Sequence, residues 1–264
     1  ARVVGGRSGS EGRPPPPPPP PAPAPLGSYL GQYIGWRGAF FIVVPLAVAA
    51  FIWQWRAIPS LPAQGDNHTA NPLRLLRLPH VASGMAAILA LFMGQFAIFT
   101  YLRPFMESVT GASVSALSFI LLLLGAAGLA GTWAVDRLLK RHLFRCLILI
   151  PLAMATLGAL LIWQGHSLLI TGALLAIWGL VSTPAPVAWG LWLSRALPES
   201  AEAGGGLMVA VIQLAITAGA ALGGELFDAV GWWSPFAMGV VLLMLSALFA
   251  ALANRHYLHQ DAQR

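Results

Sequence analysis

Two stretches decide how this chain is read: LGSYLGQYIGW, Leu26 to Trp36, and LGGELFDAVGW, Leu222 to Trp232. Continued to Phe40 and Phe236, the pair share six identities in fifteen positions: Leu26, Gly27, Leu30, Gly35, Trp36 and Phe40 against Leu222, Gly223, Leu226, Gly231, Trp232 and Phe236. Each copy then enters an apolar run. An offset of 196 residues is far longer than a solenoid or propeller period, so a large unit has been used twice.

The unit is a membrane unit. The chain of 264 residues is 57% hydrophobic and 9% charged, with a mean hydropathy of +0.73. Apolar windows of bilayer-spanning length follow one another with few breaks. The formal charge of +6 sits in short segments between apolar runs and forms no interleaved patch for nucleic acid. The single cysteine, Cys146, excludes a disulfide framework.

Residues 1–25 differ in composition. A Gly/Ser/Arg-rich start leads into Pro14 to Pro21, then Pro23 and Pro25. Proline runs hold polyproline II geometry and cannot enter a helical span. The expectation is a disordered or non-native leader.

The pattern predicts seven helices: Gly38 to Trp55, Val81 to Tyr101, Ser113 to Val135, Leu143 to Trp163, Leu168 to Leu193, Leu207 to Phe227, and Pro235 to Ala253. If the first ends in the cytoplasm, that side collects Arg56, Arg74, Arg77, Arg137, Lys140, Arg141, Arg145, Arg195, Arg255 and Arg264, against Arg37 and Arg103 outside. The positive-inside rule then orients the chain with its C-terminus in the cytoplasm. A longer connection, broken by Pro59, Pro62, Gly65, Pro72 and Pro79, separates residues 26–56 from a six-helix set over 81–253. The expected division is a leader (1–25), a remnant of an earlier half (26–56), a cytoplasmic central linker (57–80), a six-helix half (81–253) and a cytoplasmic tail (254–264). Because the second copy closes its six-helix set, the first should close another. Roughly 115 residues holding four or more spans would then be missing before Leu26.

Three helices carry polar groups that suit a ligand. Phe92, Gln95, Phe96 and Phe99 share a face by helical spacing, which sets an amide beside aromatic rings able to stack a base or sugar; packing among the aromatics explains the same pattern. Trp178 and Trp189 lie eleven residues apart, three turns, with Ser182, Thr183, Pro184 and Pro186 between them. The prolines free carbonyls and should bend the helix. Gln213 and Thr217 form an i, i+4 pair, and Gly219 and Gly223 suit close helix packing. Glu225 and Asp228 are the acids nearest a span there, and an intramembrane carboxylate is a proton-relay candidate.

Other classes lack their signatures. The only lysine, Lys140, stands outside the predicted spans, where no retinal-type linkage forms, and the six histidines stand outside the spans or at their ends. No GxxxxGK phosphate loop occurs. The sequence offers no signature of an enzyme, a metal site or a cofactor site.

Doubling of a six-helix unit, a basic linker and a glycine-rich fifth helix resemble the major facilitator superfamily of secondary transporters. GQFAIFTYLRP (Gly94 to Pro104), WGLVSTPAPVAWGLWLSRAL (Trp178 to Leu197) and AVIQLAITAGAALGG (Ala210 to Gly224) are similar to its drug:proton antiporter group, nearest the purine-ribonucleoside efflux branch and more loosely the arabinose efflux relatives. The resemblance implies an all-α polytopic fold: a six-helix C-terminal half plus one helix of the N-terminal half. It implies proton-driven export of purine ribonucleosides across a bacterial inner membrane, with binding by Gln95, Phe96, Phe99, Trp178, Thr183 and Gln213 and relay by Glu225. Sugar or drug efflux is the alternative within the superfamily, and a non-transporting membrane fragment the alternative outside it. The family's Gly-x-x-x-Asp-Arg-x-Gly-Arg-Arg loop has an imperfect echo, GTWAVDRLLKRH: Gly131 is one place too far from Asp136, and Leu139 replaces a glycine. Asp136 and Arg137 are the implied gate-loop pair, or else a solvated charge pair.

Overall fold

The computed structural model describes residues 72–261 together with 41, 44, 45 and 47–57. The leader and the first copy of the repeat lie outside the described residues. Of the first predicted helix, residues 47–55 are helical with exposed side chains, and the helix continues to residue 57.

Six helices among the described residues are long and apolar enough to cross a membrane. The first, α1 (Pro79–Ser108), starts with proline in its first turn, where a missing N–H costs nothing. It runs past Tyr101 and through Pro104. Val114–Gln164 is one helical run whose first turn is capped by Ser113, which accepts the Ala116 N–H at 3.2 Å. It bends at His142 (φ −135°, ψ 40°), and we number its membrane-crossing arms α2 (Val114–Val135) and α3 (Leu138–Gln164). This corrects one expectation: Asp136 and Arg137 stand on helical backbone, not in a loop. From Thr132 to Ile150 the sequence has no glycine or proline, and Leu, Arg and Lys are good helix formers. The side chains of Asp136 and Arg137 lie outside the described residues.

The fourth span, α4, runs over Leu168–Ala196 but breaks between Ser182 and Ala185. Pro184 and Pro186 cannot donate to the carbonyls of Leu180 and Ser182, which produces the expected bend. A short 3-10 turn, Pro198–Ser200, leads into α5 (Ala201–Val230), and α6 (Ser234–Asp261) closes the bundle. The fifth helix begins one and a half turns earlier than Leu207. Gly204 permits this, since a methyl there would stand 2.9 Å from Leu197 Cδ1.

The packing is organised by α1. On one side it meets α6 antiparallel: Gly94 faces Gly239, Ser246 Oγ donates to the Ala87 carbonyl at 2.8 Å, and a methyl on Gly94 would stand 2.8 Å from Gly239 O. On another side it meets α5 in parallel, with Gly219 against the Met93 carbonyl and Gly223 against Tyr101 and Ala97. Near its start, Gly84 receives the ring of Trp192 from α4. A second seam joins α2 to α4, also in parallel. Gly128 faces Thr183 and Gly179, Gly131 lies on the Leu180 peptide, Gly179 lies on the Leu124 peptide, and Gly172 meets Ile120. Backbones approach this closely only where no Cβ intervenes.

The second copy of the repeat is now explained residue by residue. Gly223 lets α5 touch α1. Gly231 ends α5 at φ 120°, ψ 178°, a conformation essentially reserved for glycine. The Leu226 carbonyl accepts Ser234 Oγ at 2.7 Å. Trp232 and Phe236 meet Phe105 at centroid distances of 5.3 and 4.8 Å. Five of the six repeated residues thus build the turn from α5 into α6 and seat it on α1. The sixth, Leu222, is exposed.

Candidate functional site

Gln95 lies in the middle of α1, and its Oε1 is buried with no hydrogen-bond partner among the described residues. An amide oxygen out of contact with water and without a donor costs about 1–3 kcal/mol, so the position asks for a donor from elsewhere. Phe96 and Phe99 stand beside it, edge to face at 6.2 Å. Phe96 is half-buried and Phe99 is 43% exposed, while Phe92 turns into the core.

The break in α4 lies at a similar depth in the bundle. Two contacts fix the antiparallel register of α1 and α4: Gly84 against Trp192, and Gly158 against both Ile98 and Trp178. That register sets Gln95 at the depth of Val181, within a turn of Thr183. Thr183 is exposed at the edge of the α2–α4 seam: its hydroxyl lies against Gly128 and donates to the Gly179 carbonyl at 2.8 Å, which leaves its oxygen able to accept. Ser182 is buried.

Trp178 is 2% exposed and Trp189 1%, both inside the core. Trp189 packs edge-on to Trp192 at 5.3 Å. Trp178 therefore shapes the wall from behind and is not presented at its surface.

On α5, Gln213 and Thr217 share an exposed face, and the Thr217 hydroxyl donates to the Gln213 carbonyl at 2.9 Å. The parallel contacts Met93–Gly219 and Ala97–Gly223 align Gln213 with Ala87, about 12 Å along the axis from Gln95. Gln95 and Thr183 thus share a depth, Thr217 lies about 6 Å away from that depth, and Gln213 lies further toward the arginine-rich end. No hydrogen bond joins Gln95, Thr183 and Gln213 to one another among the described residues. Glu225 and Asp228 are exposed in the last turns of α5.

Two residues that the spacing arguments passed over flank this depth, Tyr101 toward one end of α1 and Trp192, at Gly84, toward the other. Tyr101 fills the trough left by Gly223 and Gly224, donates its hydroxyl to the Ala220 carbonyl at 2.8 Å, and stacks on Phe227 at 5.4 Å. The signal was the run of small residues on α5, which requires a large partner. Trp192 is fully buried, with no partner for its Nε1 among the described residues, and a third tryptophan on one helix gave no signal of its own. Among the described residues no group of three or more His, Cys, Asp or Glu side chains is placed to hold a metal ion.

A family model described as the Major Facilitator Superfamily matches residues 23–215. The transcription regulatory protein OpdE of Pseudomonas aeruginosa is 46% identical over 234 residues, covering 87% of this chain and 58% of that protein. The purine ribonucleoside efflux pumps NepI of Shigella sonnei and of Escherichia coli K12 are each 41% identical over 224 residues, covering 84% of this chain and 56% of theirs. The chain therefore spans a little over half the length of the curated relatives it matches.

Proposed function

The chain belongs to the major facilitator superfamily, and from that premise we propose that its six helices form one wall of a secondary transporter that exports purine ribonucleosides in exchange for protons. The observation that carries this reading is the buried, unpartnered Oε1 of Gln95 at the depth where α4 breaks. Once the half-buried Gln95 side chain rotates to present this oxygen, a purine ribonucleoside offers what the position lacks: N–H and hydroxyl donors for the amide oxygen, and a flat ring for Phe96 and Phe99. Thr183 contributes an acceptor at the same depth, Gln213 and Thr217 receive the ligand nearer the arginine-rich end, and Trp178 holds the wall from inside. The identity with the purine ribonucleoside efflux pumps supports the substrate class.

Proton exchange requires a carboxylate that changes partners during the cycle, and Glu225 is our candidate, exposed on the least buried helix. Asp136 and Arg137, at the arginine-rich end of α2, are the candidate gate pair. The ten-to-two charge asymmetry supports a bacterial inner-membrane protein with that end and the C-terminus in the cytoplasm.

The test is a chimera in which residues 79–261 replace the corresponding helices of the Escherichia coli pump. Cells preloaded with a labelled purine ribonucleoside should release it faster than vector controls, and a protonophore should abolish the difference. A membrane-inserted chimera that releases no ribonucleoside would sink the substrate assignment. A regulatory role, suggested by the name of the 46%-identical relative, predicts instead altered transcript levels without ribonucleoside release, which a parallel expression profile would detect.

A further inference from the structure

We propose that the 3-10 turn Pro72–Arg77, immediately before α1, is an anchor that recognises anionic phospholipid headgroups. The inference requires that the helices span a membrane, and it is independent of what they transport.

The sequence Pro72 to Leu78 reads PLRLLRL, and residues 72–77 form a 3-10 helix. In that geometry residues three apart eclipse one another, so the period-three pattern resolves into three edges. Leu73 and Leu76 form one, Arg74 and Arg77 the second, and Leu75 the third, continued by Leu78. Leu75 is buried, which fixes the turn against the bundle, whereas Leu73 is 63% exposed and Leu76 and Leu78 37% each. The Leu78 N–H donates to the Leu75 carbonyl at 3.1 Å, and the Leu78 carbonyl accepts from Ala82 at 2.9 Å, so the turn joins α1 without slack. Its outward surface is an apolar edge beside a basic edge, held at the level where the membrane span begins.

Water does not suit this surface, and neither does the bilayer interior. The headgroup boundary suits both edges, with leucines toward the acyl chains and guanidinium groups among phosphates. Charge selects among lipids. Arg141, Arg145, Arg195 and Arg255 are exposed at the same end of the bundle. Its described carboxylates, Glu199 and Glu202, are in no ion pair, since Arg103–Glu107 at the opposite end is the salt bridge found among the described residues. Arg74 and Arg77 are exposed and form no ion pair among the described residues, which suits them to headgroup phosphates. Zwitterionic lipid offers them phosphate only alongside a competing ammonium, and anionic lipid offers it without one.

The full chain in a Cys146→Ser background, spin-labelled at Leu76→Cys, would be placed in nanodiscs of phosphatidylcholine alone or of an equal mixture with phosphatidylglycerol. The ratio of oxygen to aqueous nickel accessibility at the label reports its depth. We expect the ratio to rise severalfold in the anionic mixture, and to fall by about fivefold for each of Arg74→Gln and Arg77→Gln. Arg103→Gln, at the opposite end, should leave it unchanged. Equal ratios in the two lipid compositions would overturn the proposal, because an apolar contact without charge recognition would remain. A label closed to both reagents would also overturn it, since a protein segment would then cover the face. The lipid comparison needs no arginine substitution, so a variant that fails to fold does not remove the test.

Discussion

The helices α1 and α5 run parallel and touch along their length, yet two-thirds of the most apolar stretch of α1 is buried (67%) and only 17% of that of α5. In a soluble protein the second figure would mark an unstable element. Lipid tails are as apolar as leucine, so in a membrane exposure of Val209, Leu214 or Leu222 carries no such penalty. What distinguishes the two helices is the polar groups they leave uncovered. On α1 the amide oxygen of Gln95 is turned inward. On α5, Gln213, Thr217 and Glu225 all face outward, where lipid would be a costly neighbour. The exposed face of α5 is therefore suited to something wetter or more polar than hydrocarbon.

The largest effect should come from α1. A Gly94→Leu substitution must push apart the α1–α6 contact, where the Gly239 carbonyl already stands 2.8 Å from the position of a methyl. Loss of about 3 kcal/mol or more is expected, read as a strongly lowered thermal unfolding midpoint in detergent. The matched change on α5, Gly206→Leu, meets nothing within 4 Å and should alter stability by less than about 0.5 kcal/mol. Equal effects would dissolve the contrast between the two helices.

The second prediction separates binding from packing. In the chimera, Gln95→Leu should reduce ribonucleoside release about thirtyfold, from the loss of one ligand-directed hydrogen bond in a dry site. Stability should hold or rise, since an unsatisfied acceptor has been removed. A fall in stability with unchanged release would make Gln95 a structural residue. The last and smallest expected loss, apart from the Gly206→Leu control, belongs to the α1–α5 contact itself. Tyr101→Phe deletes the 2.8 Å bond to the Ala220 carbonyl and should cost about 0.6 kcal/mol, a typical value for such bonds between membrane helices. A much larger cost would mean that α5 is held chiefly by this bond and not by its glycines.

The sequence disclosed the six spans readily because each is a long apolar run bounded by charge or by proline, and the repeated glycines and aromatics pointed to the α5–α6 turn before its geometry was known. Boundaries were harder. Gly204 to Gly206 lowered the expected helicity at the start of α5, but tertiary contact at Gly204 overrides propensity. Asp136 and Arg137 suggested a loop by charge, although nothing in the backbone sequence interrupts the helix there. For the site, helical periodicity set Phe92, Gln95, Phe96 and Phe99 on one face, whereas Phe92 turns into the core and Phe96 and Phe99 pack on each other. Periodicity within one helix carries no information on register between helices, so it could not tell that Trp178 turns inward or that Gln213 lies at another depth. Tyr101 escaped notice for the same reason, because its role is defined by the glycines of a helix more than a hundred residues away.

The seam between α2 and α4 has a consequence for biosynthesis. The close approaches of α2 described above are all to α4, through Gly128, Gly131, Leu124 and Ile120, and α4 begins at Leu168, more than thirty residues after α2 ends at Val135. At about 5–20 residues per second, α2 leaves the ribosome seconds before its partner exists and must dwell alone in the bilayer. Its span from Val114 to Val135 carries no charged side chain, so that dwell is tolerable, and its glycines stay open until α4 arrives. A charged residue introduced into α2 should therefore act during insertion, ahead of any effect on the finished bundle, and be visible as a topological error in nascent chains stalled before Leu168.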